Sequence, residues 1–307
     1  MKALALSVLL AFCGVAQAAA PADERLYHRE QQVQLPGSGS SWGFIALDPT
    51  RPYLFLARRE NGLSVFDVDK QRPVRTLEQS RGANGVVLVP ELDRLLVLNT
   101  DGSLGVVELS TFKPLKRITA AHELAVKKID PLLLKGDGSF FLPMRDEGIV
   151  ARLSSSSFKV LDRWQYPDCP RPSALAQDEQ RGRLFVACRG ERPVLLVLDR
   201  DNGALKASLP ITRDVNALAY DPQAQRLLIA SGVDANLSVV AQLDADRYQL
   251  LGSVSTQPMA YNMAFDPRTR RVYLAAMDFT QPAASPAEPK PDPLFHANTF
   301  KVLTLAP

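Results

Sequence analysis

The chain has 307 residues, 46% of them apolar and 22% charged, with 36 Lys and Arg against 33 Asp and Glu for a formal charge of +3. That composition suffices for a packed core, and so nearly balanced a charge gives no electrostatic case for nucleic acid or an anionic membrane surface. Length alone suggests two domains, but a repeat running through the whole chain argues for one.

The chain opens on Met1-Lys2, the apolar stretch 3–12 and the small-residue exit Ala16-Gln17-Ala18, the three parts of a secretory signal. The stretch is too short to cross a bilayer as a helix. Cleavage is expected after Ala18, because a cut after Ala20 would put Pro21 at the scissile bond. Phe12 stands where a lipobox before Cys13 needs a small residue, which argues against lipidation. Residues 1–18 are therefore read as a signal peptide. Residues 19–307 are read as one periplasmic or secreted domain of formal charge +2, once Lys2 is removed.

Beyond the signal, a turn followed by a short apolar strand recurs six times. Its clearest copies run from Ile45-Ala-Leu-Asp48-Pro49 to Ala57, from Ala219-Tyr-Asp221-Pro222 to Ala230 and from Ala264-Phe-Asp266-Pro267 to Ala275. Weaker copies centre on Val89, Lys135 and Asp178, so that the anchors are spaced by 41, 46, 43, 43 and 45 residues. A period in the forties built from strand-like units predicts a β-propeller.

The first repeat, 43–77, predicts four strands: one entering the turn 48–52, then 53–57, 63–67 and 73–77, the alternation implying one buried face and one outward face. The second repeat predicts strands at 85–89, 94–99, 104–109 and 115–118, and the fourth at 174–178, 183–188, 194–199 and 205–209. The sixth has only 263–266, 271–276 and 300–305. Its missing strand can come from residues 29–35 at the other end of the chain, which would remove the open edges of the ring. The expected fold is all-β, a six-bladed propeller of four-stranded antiparallel blades closed by the N-terminal strand, with seven blades as the alternative count.

Two cysteines remain in 19–307. Cys169 precedes the first strand of the fourth repeat and Cys188 ends the second, and in an antiparallel hairpin those ends are neighbours. In an exported chain this predicts a disulfide, with two buried free thiols as the alternative.

Candidate chemistry follows from the repeat frame. Five residues before the anchors stand Gly43, Asn84, Asp130, Ser173, Asn216 and Tyr261, with Asn262 next. Ten residues after them stand Arg58, Asn99, Arg145, Cys188, Ser231 and Ala276. In a propeller both sets crowd one mouth of the central channel, so Asn84, Asp130, Asn216, Asn262, Arg58 and Arg145 form the candidate ligand site. Arg would suit a carboxylate or phosphate, and a ring of Asn and Asp oxygens a hard cation such as Ca²⁺. The competing reading has the asparagines capping turns and the two arginines pairing with Glu60, Asp146 or Glu147. Arg94, Arg183, Arg226 and Arg271 are expected to hold the Asp turns. The three histidines, His28, His122 and His296, have no metal spacing. No c-type haem motif, nucleophile elbow or Gly-rich phosphate loop is present. The segment 281–298, with Pro282, Pro286, Pro289, Pro291 and Pro293, interrupts the last repeat. It reads as a disordered surface loop or as a semi-rigid extended arm that docks on a partner.

Leu96-Val-Leu-Asn99 with Leu104-Gly-Val-Val-Glu108, Leu184-Phe-Val-Ala187 with Leu195-Leu-Val-Leu-Asp199, and Leu54-Phe-Leu-Ala57 with Leu63-Ser-Val-Phe-Asp67 resemble the blades of the bacterial YVTN-type β-propeller family. Members commonly have seven blades, from which a count of six departs. The mouth positions also resemble those of gluconolactonase or senescence-marker-like six-bladed propellers, where a Glu, two Asn and an Asp hold a metal. Asn84, Asn216 or Asn262 and Asp130 match three of these by position, while Ser40-Ser-Trp-Gly43 offers no acid for the fourth. The expectation is an exported, monomeric, non-enzymatic binding or scaffold protein without cofactor, recognising a protein partner or a small anionic ligand, with no nucleic acid and no membrane span. The alternative is a metal-dependent lactonase-like hydrolase using Ca²⁺ or Zn²⁺. A redox-partner propeller is a third.

Overall fold

A computed structural model describes residues 26–118, 132–157, 159–286 and 288–307. The signal segment 1–18, Asp130 and His122 lie outside them. Six four-stranded antiparallel sheets account for nearly all regular structure, and the single helical element among the described residues is a 3₁₀ turn at Pro90–Leu92. The six sheets are the blades of a β-propeller. In blade 4 the strands run outward from the channel as Arg171–Asp178, Arg183–Arg189, Val194–Asp199 and Leu205–Pro210. Blade 5 repeats the order with Val215–Asp221, Arg226–Ser231, Asn236–Gln242 and Tyr248–Ser255.

The expected alternation holds only partly. Leu63–Asp67 is buried throughout, and Leu184 to Cys188 is buried without a break. Middle strands of a blade are covered on both faces by the blades to either side, so the sequence there is apolar at nearly every position. The outermost strands meet solvent, and Arg72–Thr76 is exposed at all five residues.

Packing between blades is mostly side chain on side chain. Leu54, Phe66, Tyr273 and Phe300 fill the seam between blades 6 and 1, and Phe55, Val65, Leu95 and Val97 the next one. Phe141 with Leu184 occupies the seam between blades 3 and 4, Phe185 with Leu227 and Ile229 the one after it, and Leu228 with Val272 and Leu274 that between 5 and 6. Among the described residues no such cluster spans blades 2 and 3. There Val87, Leu98 and Leu134 are 45%, 47% and 64% exposed.

The ring closes as expected. His28–Gln34 pairs antiparallel with Lys301–Ala306, setting Val33 opposite Val302, and completes the sheet of Asn262–Asp266 and Arg271–Ala276. A bulge at Glu30 turns its carboxylate to Arg271, whose Nε and Nη2 donate to it at 2.6 Å each. Cys169 and Cys188 are joined by a disulfide, with 5.2 Å between Cα atoms.

On the face opposite the mouth, each anchor Asp caps its own turn. Asp48 accepts from the Thr50 and Arg51 amides at 2.9 and 3.1 Å, and Asp221 from those of Gln223 and Ala224 at 3.0 and 3.2 Å. Guanidiniums from the turns themselves and from the next blade pair with these carboxylates. Asp48, Asp178 and Asp266 take Arg51, Arg181 and Arg268 from their own turns, and Asp221 takes Arg270 from blade 6 at 2.7 Å. Arg183 pairs with Asp246 while its Nη1 donates to the turn carbonyls of Arg181 and Gly182 at 3.0 and 3.2 Å, and Arg271 pairs with Glu30. In blade 3 the anchor is Lys135, and its buried ammonium holds Asp137 at 2.7 Å and Asp201 of blade 4 at 2.8 Å.

The proline segment is more ordered at its base than a disordered loop would be. Phe279–Thr280 pairs with Leu294–Phe295 in a two-stranded ribbon at its base. Phe295 sets its ring edge-on to Trp42 at 4.9 Å, and Asn298 exchanges hydrogen bonds with Gly37. Two phenylalanines flanking the prolines thus tie the segment to the propeller, a contact that composition alone conceals.

Candidate binding site at the channel mouth

The aligned positions Asn84, Ser173 and Asn216 share one local structure. Each is the residue left unpaired at a bulge near the start of an innermost strand, the register stepping from Ala83 to Gly85, from Pro172 to Ala174 and from Val215 to Ala217. A bulge re-aims the backbone and side chain of the extra residue, here toward the adjacent blade. The Asn84 carbonyl accepts from the Phe44 amide of blade 1 at 2.8 Å, and Ser173 Oγ donates to the Val215 carbonyl of blade 5 at 2.8 Å. Asn262 Nδ2 donates to the Gly43 carbonyl, joining blades 6 and 1. Gly43 tolerates no side chain there, since a Cβ would lie 1.9 Å from the Asn84 carbonyl oxygen. Part of the ring therefore stitches blade to blade.

The rest gathers arginines. Asn216 Oδ1 accepts from Arg145 Nη2 at 3.2 Å and from Arg189 Nη1 at 2.8 Å, guanidiniums that come from blades 3 and 4. Arg189 also pairs with Asp214. Across the mouth, Arg59 Nε donates to Asn84 Oδ1 at 3.0 Å. Tyr261 completes the rim, stacked on Trp42 at 5.8 Å. Burial pushes its phenol pKa up, while the nearby guanidiniums of Arg59 and Arg189 pull it down.

Arg58 is not among them. It is 3% exposed, donates from Nη2 to the Pro36 carbonyl at 2.9 Å and from Nη1 to Ser64 Oγ at 3.3 Å, and lies over the Phe300 ring at 4.7 Å. Burial brings its pKa down to about 10. Its neighbour Arg59 has φ of 41°, and this left-handed step in the loop puts residue 59 over the mouth. Arg189 was missed for a similar reason: the repeat frame selects Cys188, which is engaged in the disulfide, and the register places Arg189 one step further out, opposite Arg171. The adjacent arginines in Arg58-Arg59 and the one following Cys188 were the available signals. Asn99 is buried and donates to Ser103 Oγ at 3.1 Å within its own loop.

Below the rim lies a cavity of about 150 Å³. Its walls come from the innermost strands of blades 1, 4, 5 and 6 and the residues just before them, through Phe44, Ile45, Leu175, Leu218 and Met263 with Asn216 and Asn262. A larger hollow of about 430 Å³ beside blade 3 is lined by Asp146, Glu147 and Tyr166. Its lining includes none of Arg59, Arg145 and Arg189, and Glu147 is paired with Arg163. The central cavity is the one that shares Asn216 and Asn262 with the mouth.

The described mouth residues do not fit a divalent cation. Two of the three asparagine oxygens that would bind it, on Asn84 and Asn216, already face guanidiniums, and Asn262 turns its amide nitrogen to Gly43. A cation there would sit against positive charge. The fourth expected ligand, Asp130, lies outside the described residues.

No protein-family model matches the chain, and no curated protein does. A solved structure resembles it, a chain in the crystal structure of a mitotic checkpoint complex, with a TM-score of 0.70 over 97% of this chain and 98% of that one, at 13% identity. At that identity the likeness shows the fold alone. The chain is a β-propeller of six four-stranded blades.

Proposed function

We propose that the chain is an exported, YVTN-type β-propeller that acts without catalysis as a binding or scaffold protein, its ligand or partner held on the mouth face. The observation that carries this is the gathering of Arg59, Arg145 and Arg189, from three different blades, over one end of the channel. Binding sites built on rigid scaffolds draw on loops of separate elements in this way. The similar chain belongs to a multiprotein complex, which supports a binding role at the level of the fold. Export is supported by the leader-like opening of the sequence and by the Cys169–Cys188 bridge, a linkage favoured in oxidising compartments. No helix among the described residues is long and apolar enough to cross a membrane.

The test is site-specific photo-cross-linking in the native cell. Cross-linkers at the exposed mouth-face positions Glu60 and Glu191 are expected to give discrete adducts, and those at Pro49 and Glu179 on the turn face none. Adducts from the turn face alone would reject the assignment. N-terminal sequencing of the exported chain is expected to begin at Ala19.

A further inference from the structure

We infer that Arg58 and Trp42, at the seam where the ring closes, bind a single buried halide ion, chloride in ordinary solution. This site is independent of whatever the mouth takes. It begins from a charge without a counter-charge. Arg58 is 3% exposed, and among the described residues its guanidinium meets only neutral groups: the Pro36 and Leu35 carbonyls at 2.9 and 3.5 Å, Ser64 Oγ at 3.3 Å and the Phe300 ring. Buried charges are normally paired. The acids of the two neighbouring loops are engaged elsewhere, Glu60 accepting from Ser41 Oγ at 2.9 and 3.0 Å and Asp278 pairing with Lys301 at 2.7 Å. Burial alone acts on the Arg58 pKa, and at about 10 the group stays cationic at neutral pH.

Arg58 Nε and Trp42 Nε1 are both buried N–H donors without an acceptor among the described residues. The backbone makes their residues neighbours. Gly43 N donates to the Ala57 carbonyl at 2.8 Å and Ala57 N to the Phe44 carbonyl at 3.2 Å, so residues 43 and 44 share Ala57 as partner and the next pair outward is Trp42 with Arg58. Opposed residues of an antiparallel pair lie close together on one face of the sheet. Both side chains meet Phe300 of blade 6, the Arg58 Cζ at 4.7 Å from its centroid and the Trp42 ring at 6.1 Å. Two unanswered donors, one of them cationic, therefore border the same ring, and Trp42 is itself only 4% exposed.

The chemistry of the ligand follows from what the two groups lack. A buried donor without an acceptor and a buried cation without an anion are separate costs. A water accepts from both donors and leaves the charge unanswered. A carboxylate brings a body to house and a second oxygen that needs donors of its own. A monatomic anion supplies the charge and accepts an N–H from any direction. Its place in the fold gives it a role: Leu35 and Pro36 directly follow the closing strand His28–Gln34, and Phe300 directly precedes its partner Lys301–Ala306. The ion lies where the two ends of the chain meet, and its binding strengthens ring closure by mass action.

Thermal unfolding of the disulfide-intact protein in sodium chloride against sodium gluconate, at equal ionic strength, tests this. The melting temperature is expected to rise by about 3 °C for each tenfold increase in chloride above its dissociation constant, and not to rise in gluconate. Trp42→Phe, which removes one donor and keeps an aromatic ring, should weaken chloride about tenfold. Arg58→Met should abolish the dependence, and where that variant fails to fold Trp42→Phe still decides. A general salt effect would act on all of these proteins alike, so a chloride dependence equal in the unaltered protein and in Trp42→Phe overturns the inference, as does its absence from the unaltered protein. Trp164→Phe leaves Trp42 as the sole tryptophan. Iodide should then quench its fluorescence saturably although the ring is buried, and quenching that is absent or never saturates overturns the inference. Anomalous diffraction from bromide-soaked crystals should place one ion on both Arg58 Nε and Trp42 Nε1. A water in that position overturns it, and bromide there without any effect of chloride on melting would be an adventitious ion only, which overturns it as well.

Discussion

The seam between blades 5 and 6 and the seam between blades 2 and 3 are built on the same backbone repeat and differ in what covers them. In the first, Leu228 and Ala230 are fully buried against Val272 and Leu274. In the second, Leu96 and Leu98 stand at the equivalent positions, one partly buried and the other 47% exposed. Repetition of strands therefore fixes where a side chain points, while its contribution to stability depends on the blade it meets. A repeat protein is held by its interfaces as much as by its units.

The sharpest way to break that contrast is a pair of truncations. Leu228→Ala should cost about 2–5 kcal/mol in urea unfolding, as a buried cavity does. Leu98→Ala should cost no more than about 0.5 kcal/mol, as at an uncovered site. Equal losses would mean that the two seams are equally filled. Comparable to the larger of these is the bridge beside the seam of blades 3 and 4. Replacing both Cys169 and Cys188 by Ala should lower stability by about 3 kcal/mol, the figure for a loop of roughly this length, measured against the unreduced protein.

The Lys135 clasp across the same seam predicts a pH dependence. Its hydrogen bonds lower the folded-state pKa of Asp137 and Asp201 below the ordinary carboxylate value, and the two carboxylates raise the pKa of Lys135 against the opposing effect of burial. For the acids, whose folded pKa is depressed, the contribution is present above the unfolded pKa, about 4, and is lost as pH falls through the folded values. Lys135→Met should therefore destabilise at pH 7 and progressively less below pH 4, followed by urea midpoints at each pH. A difference that stays constant down to pH 2 would show that the clasp carries no charge-dependent stability. The closing pair contributes modestly: Glu30→Gln should cost about 0.5–1 kcal/mol in urea unfolding, since Glu30 and Arg271 are both partly exposed.

Most of the architecture was legible because it repeats. The spacing of the turns, four of them marked by Asp, located all six blades, and the strand missing from the last repeat pointed to residues 29–35, which overlap the observed His28–Gln34. The disulfide was legible because two strand ends of one hairpin must be neighbours. The mouth was legible in position and misread in detail. Asn84, Asn216 and Asn262 lie on the ring, yet a frame that counts residues cannot register a left-handed step at Arg59 or distinguish Cys188 from the Arg189 beside it. Nor could counting show that Asn262 would spend its amide on the Gly43 carbonyl, because that bond joins residues 219 apart in sequence. The two short strands flanking the prolines were invisible for a related reason: a two-residue ribbon has no period to detect, and its anchor, Phe295 on Trp42, is purely tertiary.

The pairing of Val33 with Val302 has a temporal meaning. The strand of Val33 is synthesised well before that of Val302 and must wait for it, and bringing together segments so far apart in sequence carries a loop-closure entropy that local hairpins avoid. Until then the first and sixth sheets each present an unfinished face. The circle is thus completed late, in one step, and a chain interrupted before residue 301 would hold five finished sheets and no ring.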